Sequence, residues 1–145
     1  MALVPRSKVT PPPIPTQHIR RRRLEAALDR GAERDVTLVC APPGIGKTSL
    51  LASWVGSDVG VPTAWVRLEP EDGDPRRLWG AVLAALTALP EVPAASRIRR
   101  LVVSRTTVEL DFLSELLEGL ATLPTPIRLV LDDVQHIRDS LSRHA

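Results

Sequence analysis

Short apolar runs alternate along this chain with longer stretches in which apolar residues recur every three or four positions. The short runs predict strands, because about four to eight β-branched and aliphatic residues between turn signals fit a buried strand. The three runs are DVTLVC at 35–40, TAWVRL at 63–68 and IRLVLDD at 127–133. We expect the first run to be a buried strand and the third to be apolar on both faces.

Helices are predicted where the apolar spacing is helical and the ends carry capping signals. These stretches are 22–30, 46–55, the residues from Asp74-Pro75 to Pro90, and those from Thr106 to Pro124. Asp74 is expected to be an N-cap with Pro75 at the first helical position, and Thr106–Glu109 fits a capping box. Gly31 is expected just beyond the end of the first helix. Residues 90–105 are ambiguous, and one interpretation places a short strand in RIRRLVV at 97–103.

The alternation of strands with helices predicts an α/β fold with a mostly parallel sheet covered on both sides. A length of 145 residues suits one domain. Residues 1–18 contain a cluster of prolines and are expected to form an extended segment, so that 19–145 make up the domain.

Composition excludes several classes of protein. Apolar residues at 43% and charged residues at 25% are ordinary for a globular chain, and a net charge of +2 does not by itself argue for nucleic-acid binding. The single cysteine, Cys40, excludes an internal disulfide and is expected to be a small buried apolar residue. Because there is no secretory signal and no run of about 20 apolar residues, we expect a cytoplasmic protein without a membrane span.

The stretch APPGIGKT at 41–48 matches the phosphate-binding loop G-x-x-x-x-G-K-[ST], except that Ala41 replaces the first glycine. Gly44 and Gly46 allow left-handed backbone angles, and the following helix adds the positive end of its dipole. The first glycine lies farthest from the phosphates, so we expect the loop to tolerate alanine there. The strand–loop–helix context favours a phosphate site over an ordinary glycine-rich turn.

Each residue of this loop then has an expected role. The nucleotide-binding residues are predicted to be Pro42, Pro43, Gly44, Ile45, Gly46, Lys47, Thr48 and Ser49. Lys47 would reach the β- and γ-phosphates of ATP, or the β-phosphate of ADP, and act in catalysis. The Thr48 hydroxyl would bind Mg²⁺.

LVLDD at 129–133 supplies the second half of the predicted nucleotide site, where a strand ends in two carboxylates. The carboxyl ends of strands line the ligand crevice of open α/β sheets. Asp132 is expected to hold Mg²⁺, and Asp133 to orient or deprotonate the attacking water as a catalytic residue. Alone this pattern is weak and fits a solvated turn, but downstream of a phosphate loop the functional interpretation is favoured.

The basic run IRRRRLE at 19–25 has three interpretations. Cations are disfavoured at a helix N-terminus, so the run is a solvated surface with an Arg21–Glu25 pair, a surface facing nucleotide or an acidic partner, or a nucleic-acid contact. The acidic EPEDGD stretch at 69–74 is expected to be a solvated loop, and the tryptophans are expected to anchor the core.

Several stretches together resemble one family. RSKVTPPPIP, IRRRRLEAALD, LVCAPPGIGKTSLLASWV, AWVRLEPEDGDPRRLWGAVLAAL and FLSELLEGLATLPTPIRLVLDDVQHI are similar to the N-terminal ATPase region of the large LuxR-type transcriptional regulators, which belong to the STAND class of signal-transduction ATPases. The likeness extends over nearly the whole chain and is least distinctive at 91–105.

The resemblance implies that ATP or ADP, with Mg²⁺, acts as a conformational switch that controls self-association. It places the family's loop lysine and hydroxyl on Lys47 and Thr48, its two acids on Asp132 and Asp133, and a base-side segment on Ile19–Arg23. It also implies an incomplete P-loop NTPase three-layer sandwich, because the family's next strand, lid, inducer-binding repeats and DNA-binding domain have no counterpart in the 145 residues. We therefore expect the isolated chain to be marginally stable or partly molten.

Two other functions stay open on the sequence alone. One is a non-catalytic remnant or interaction module that keeps the nucleotide motifs without activity. The other, weaker, is a small P-loop phosphotransferase, for which no acceptor site is evident. Hydrolysis is less secure than binding, because no arginine can be assigned to stabilise charge at the γ-phosphate.

Overall fold

The computed structural model describes residues 4–58, 60–103 and 110–137. The chain folds into two compact units. One, the sheet unit, comprises Met1–Pro11 and Val61–Ala145; the other, the loop unit, comprises Pro12–Gly60. The predicted division into segments 1–18 and 19–145 stays a prediction.

The sheet unit is built on two parallel strands, β1 (Thr63–Arg67) and β2 (Arg128–Asp132). The register pairs Thr63 with Arg128 and Arg67 with Asp132, so both strands end at the same edge. The predicted α/β class with a parallel sheet is confirmed. Only one face of β2 is covered: Val130 is buried, whereas Leu129 and Leu131 are 41% and 39% exposed. The strand is apolar on both faces, as predicted, but the expected cover on both sides of the sheet is not found at this strand.

Helix α3 (Pro75–Thr87) packs on β1 and supplies the largest share of the core of the sheet unit. As predicted, Asp74 is its N-cap: the carboxylate accepts a hydrogen bond from the Arg76 backbone N–H at 2.9 Å. The Arg76 side chain also bonds this carboxylate and lowers the pKa of Asp74 below its usual value. The inward face of the helix is aliphatic, and its buried residues are Ala81, Val82, Leu83, Ala85 and Leu86.

Two further helices complete the sheet unit, α4 (Arg97–Arg100) and α5 (Leu110–Ala121). The short strand predicted at 97–103 is wrong, because Ser96 caps a single helical turn there by accepting a hydrogen bond from the Ile98 N–H. Ile98 is buried against Gly119 of α5, where an added Cβ would meet its side chain at 2.9 Å. The predicted capping box at Thr106–Glu109 lies outside the described residues.

A buried ion pair holds the start of the chain on the sheet unit. Lys8, at the end of a 3₁₀ turn (Arg6–Lys8), is only 8% exposed and donates to Asp72 at 2.6 Å and to Glu69 at 3.0 Å. Asp72 lies in a second 3₁₀ turn (Pro70–Gly73) and is 1% exposed. The prediction of a solvated loop at 69–74 is wrong at this residue, because a carboxylate can be buried where an ammonium group pairs with it.

In the loop unit, α1 (Arg22–Ala32) packs against α2 (Lys47–Ser57). Their contact is centred on three buried side chains, Leu28, Leu50 and Trp54. Both helices were predicted. Gly31, however, lies inside α1 and has no left-handed backbone angle, so the expected helix end at this glycine is wrong.

The predicted strand at 35–40 is also wrong. This segment has no regular secondary structure and no backbone partner among the described residues. Val36 and Leu38 are 84% and 76% exposed, and Cys40 is exposed rather than buried. Its composition suits a strand, but a strand also requires a neighbour that accepts and donates backbone hydrogen bonds.

Replacing Lys8 with methionine tests the buried pair. Lys8→Met leaves the Asp72 carboxylate buried without its ammonium partner, which should lower the free energy of unfolding by about 3–5 kcal/mol. Urea unfolding measures this against the control Arg6→Met, an exposed basic residue of the same turn. Equal stability of the two variants would show that Lys8 does not hold the segment.

Candidate nucleotide-binding site

The loop at 41–48 has the backbone geometry of an anion-binding turn. Gly44 and Gly46 have φ of 82° and 81°, values that residues other than glycine rarely adopt. Gly46 is the N-cap of α2, and the first turn of that helix contains no acidic residue. The loop itself is largely exposed. Its open face and the positive end of the helix dipole suit a phosphate group.

Lys47 closes the loop on itself. Its Nζ donates to the backbone carbonyl oxygens of Ala41 at 2.7 Å and Pro42 at 3.2 Å, so this lysine near the end of the loop is bonded to the first two loop residues. Ala41 therefore participates through its carbonyl group, which every residue type has. This explains why alanine can replace glycine at this position without changing the contact.

Arg21 contacts the opposite part of the loop. Its Nη1 donates to the carbonyl oxygen of Ile45 at 2.9 Å, and its Nη2 lies 3.4 Å from the position that a Cβ on Gly46 would occupy. The predicted Arg21–Glu25 pair is wrong, because Arg20 makes that ion pair instead. Sequence spacing alone could not distinguish the two arginines, since both lie within reach of Glu25.

Glu25 is a buried carboxylate that joins α1 to α2. It accepts hydrogen bonds from Arg20 Nη2 at 2.6 Å and from the Ser53 hydroxyl at 3.0 Å. The hydrogen bond from Arg20 lowers the pKa of Glu25 below its usual value, against the opposing effect of burial. A second bond between the helices runs from Trp54 Nε1 to Asp29 at 2.7 Å. These bonds fix the helix that carries Lys47 and Thr48.

The acidic pair lies at the carboxyl end of β2, as predicted. Asp132 is 4% exposed, and its Oδ1 accepts a hydrogen bond from the Asp133 N–H at 3.0 Å. Asp133 has a φ of 61°, an angle that aspartate tolerates better than most residues. The chain therefore turns sharply here, and the two carboxylates have different environments.

Two side chains contact the Asp133 carboxylate. Arg67, at the end of β1, donates to Oδ2 at 3.3 Å, and Gln135 donates to Oδ1 at 2.9 Å. Because β1 and β2 are parallel and in register at Arg67 and Asp132, the arginine is carried directly to this edge. Arg67 was not identified from the sequence, since its contact with Asp133 spans 66 residues and depends on the pairing of the two strands.

The predicted site residues belong to the two units separately. Residues 42–49 lie in the loop unit, and Asp132 and Asp133 lie in the sheet unit. Their convergence on one nucleotide and one Mg²⁺ stays a prediction. The donor chemistry fits a magnesium ion, since a hydroxyl and a buried carboxylate are oxygen ligands that Mg²⁺ accepts beside phosphate oxygens and water.

The parallel strands, their covering helices and the left-handed glycine loop that leads into α2 fit an α/β P-loop NTPase fold. The chain belongs to the AAA domain family, whose model matches residues 29–144.

Two curated relatives are similar to this chain, and both carry the name HTH-type transcriptional regulator MalT. The protein from Cronobacter sakazakii (strain ATCC BAA-894) is 28% identical over 135 residues, which is 92% of this chain and 15% of that protein. The protein from Serratia proteamaculans (strain 568) is 38% identical over 86 residues, 58% of this chain and 9% of that protein. The chain thus spans a small part of the length of these relatives. The resemblance to the ATPase region of MalT-like LuxR-type regulators is confirmed.

Neither a membrane-crossing helix nor a metal cluster is found in the described ranges. No helix there is long and apolar enough to span a bilayer. No three histidine, cysteine, aspartate or glutamate side chains gather as metal ligands within those same residues.

Acid titration tests the role of Glu25. Because its pKa is lowered in the folded state, the Glu25 contribution to stability is complete above the unfolded carboxyl pKa of about 4.3 and is lost as pH falls through the lower folded value. Glu25→Gln should reduce stability at pH 7 and flatten the loss of stability in acid. Thermal unfolding between neutral pH and about pH 3 measures this, with the exposed Glu33→Gln as control. Parallel pH profiles of wild type and Glu25→Gln would contradict the assignment.

Proposed function

We propose that this chain binds ATP or ADP with Mg²⁺, and that the bound nucleotide acts as a conformational switch within a transcriptional regulator. The observation that carries the proposal is the geometry of the loop at 41–48. Two left-handed glycines lead directly into the N-terminus of α2, and the Lys47 ammonium group lies across the start of the loop. Phosphate binding requires this combination of free backbone angles, helix dipole and mobile cation.

The proposed roles follow from the chemistry of each residue. Backbone N–H groups from Gly44 to Ser49 would donate to phosphate oxygens. The Lys47 ammonium would exchange its bonds to the Ala41 and Pro42 carbonyls for charge-assisted bonds to the β- or γ-phosphate, which are stronger. The Thr48 hydroxyl and the Asp132 carboxylate would hold Mg²⁺, which neutralises phosphate charge when bound.

The arrangement supports binding more than hydrolysis. The Asp133 carboxylate, the expected base, is bonded on one oxygen to Arg67 and on the other to Gln135. Each of these oxygens uses one of its two acceptor sites on a side chain, so fewer sites are left for an attacking water. A site that binds nucleotide and hydrolyses it slowly suits a switch, because the bound state then persists.

The basic segment at 19–23 gives further support. Arg20 bonds Glu25 of α1 and Arg21 bonds the Ile45 carbonyl of the loop, so neither side chain points only to solvent. This agrees with the resemblance, which places the segment beside the nucleotide, and it disfavours the interpretation as a purely solvated run. Because the relatives are named transcriptional regulators, we propose that the nucleotide switch acts in transcriptional regulation. We also propose that switching controls self-association in a longer protein.

Removal of the Lys47 ammonium tests the proposal. Wild type should bind MgADP and MgATP saturably, and Lys47→Ala should lose at least about tenfold in affinity, because one charge-assisted bond to phosphate contributes about 1.5–3 kcal/mol. Isothermal titration calorimetry gives the dissociation constants. The control is Arg34→Ala, which removes an exposed positive charge from the same unit.

Each outcome of this titration is informative. Absence of heat with wild type would favour the remnant or interaction module. Equal affinity of wild type and Lys47→Ala would show that nucleotide binds somewhere other than this loop. A rapid release of phosphate from MgATP, lost in Asp133→Asn, would contradict the preference for binding over hydrolysis.

A further inference from the structure

Arg21 lies where helix electrostatics would ordinarily exclude a cation. It is the N-cap of α1, with φ of −100° and ψ of 70°, and arginines precede and follow it. Its guanidinium group also lies beside Gly46, the N-cap of α2. The N-terminus of each helix carries a partial positive charge, so a cation near both is unfavourable unless another interaction compensates.

The interaction that compensates is a hydrogen bond to one peptide group of the loop. Arg21 Nη1 donates to the Ile45 carbonyl oxygen at 2.9 Å across 24 residues of sequence. The peptide between Ile45 and Gly46 is trans, so its N–H points opposite to its C=O. Because the carbonyl points to Arg21, the Gly46 N–H points away from the guanidinium, to the other face of the loop.

A cation on the carbonyl changes the donor on the same peptide. Hydrogen bonding to the oxygen polarises the amide group and makes its N–H a stronger donor. The orientation of this peptide would otherwise be free, because glycine at Gly46 permits a wide range of backbone angles. Arg21 therefore fixes the direction of the Gly46 N–H and makes it a stronger hydrogen-bond donor. The positive charge of the guanidinium also makes the loop more attractive to an anion.

We propose that Arg21 is a positioning residue of the phosphate site, which acts through the Ile45–Gly46 peptide and has no contact with the nucleotide. The proposal rests on the proposed function, since it assigns the Gly46 N–H as a phosphate donor. It predicts that affinity for the phosphate part of the ligand depends on Arg21, whereas the stability of the unliganded protein does not.

The test combines affinity with the state of one amide. Arg21→Ala should weaken MgADP binding by about threefold to tenfold, because the Gly46 N–H is then neither oriented nor polarised before it donates to phosphate. Arg21→Lys keeps a cation that can donate to the Ile45 carbonyl, and it should recover most of the affinity. The control Arg30→Ala removes an exposed charge from the same helix and should bind as wild type does.

Selective ¹⁵N-glycine labelling separates positioning from direct contact. The chain contains 8 glycines, so each amide signal can be assigned by substitution. In the unliganded protein, Arg21→Ala should shift the Gly46 signal and leave Gly80 of α3 unchanged. The unfolding midpoint should also stay unchanged.

The results that overturn the proposal are distinct from those that overturn the proposed function. If wild type does not bind MgADP, both fail. If wild type binds and Arg21→Ala binds equally well, only the role of Arg21 fails. If Arg21→Ala binds weakly but the Gly46 signal is unmoved, Arg21 does not act through the peptide and the inference is wrong.

Discussion

The loop unit depends on a single buried carboxylate, that of Glu25. A buried charge is tolerated only where partners satisfy it, and here Arg20 and the Ser53 hydroxyl do so from the two sides of the α1–α2 contact. The aliphatic and aromatic side chains around it make apolar contacts, which do not set the register of α1 against α2. The hydrogen bonds to Glu25 favour one register, because both partners must reach the same carboxylate. That register sets where the residue before α1, Arg21, can reach.

The phosphate loop needs this support because the segment before it is not a strand. On its C-terminal side the loop continues into α2, but on its N-terminal side the segment 35–40 has no strand partner in the described part of the chain. The turn is instead held by side chains, with Lys47 bonded to the Ala41 carbonyl and Arg21 to the Ile45 carbonyl. A loop held in this way can exchange the Lys47 bonds for bonds to phosphate while Arg21 keeps its bond, and this property suits a nucleotide switch.

Local signals in the sequence predicted local structure well. Asp74-Pro75 located the start of α3, the apolar spacing located α1, α2 and α5, and the motif at 41–48 gave the left-handed glycines. Predictions failed where the outcome depends on distant residues. The composition of 35–40 cannot show whether a neighbouring strand is present. The acidic turn at 69–74 likewise does not reveal that Asp72 is buried, because its lysine partner lies 64 residues away. Arg67 reaches Asp133 only through strand pairing, for the same reason.

The central claim is that phosphate is bound by the backbone N–H groups of the loop. Hydrogen–deuterium exchange of the wild-type chain, with and without MgADP, tests this directly, because an amide that donates to a phosphate oxygen exchanges more slowly. With MgADP bound, we expect slower exchange of the amides of 44–49 and little change in exchange at Thr63–Arg67 of β1. Protection elsewhere, with unchanged exchange at 44–49 under saturating MgADP, would contradict it.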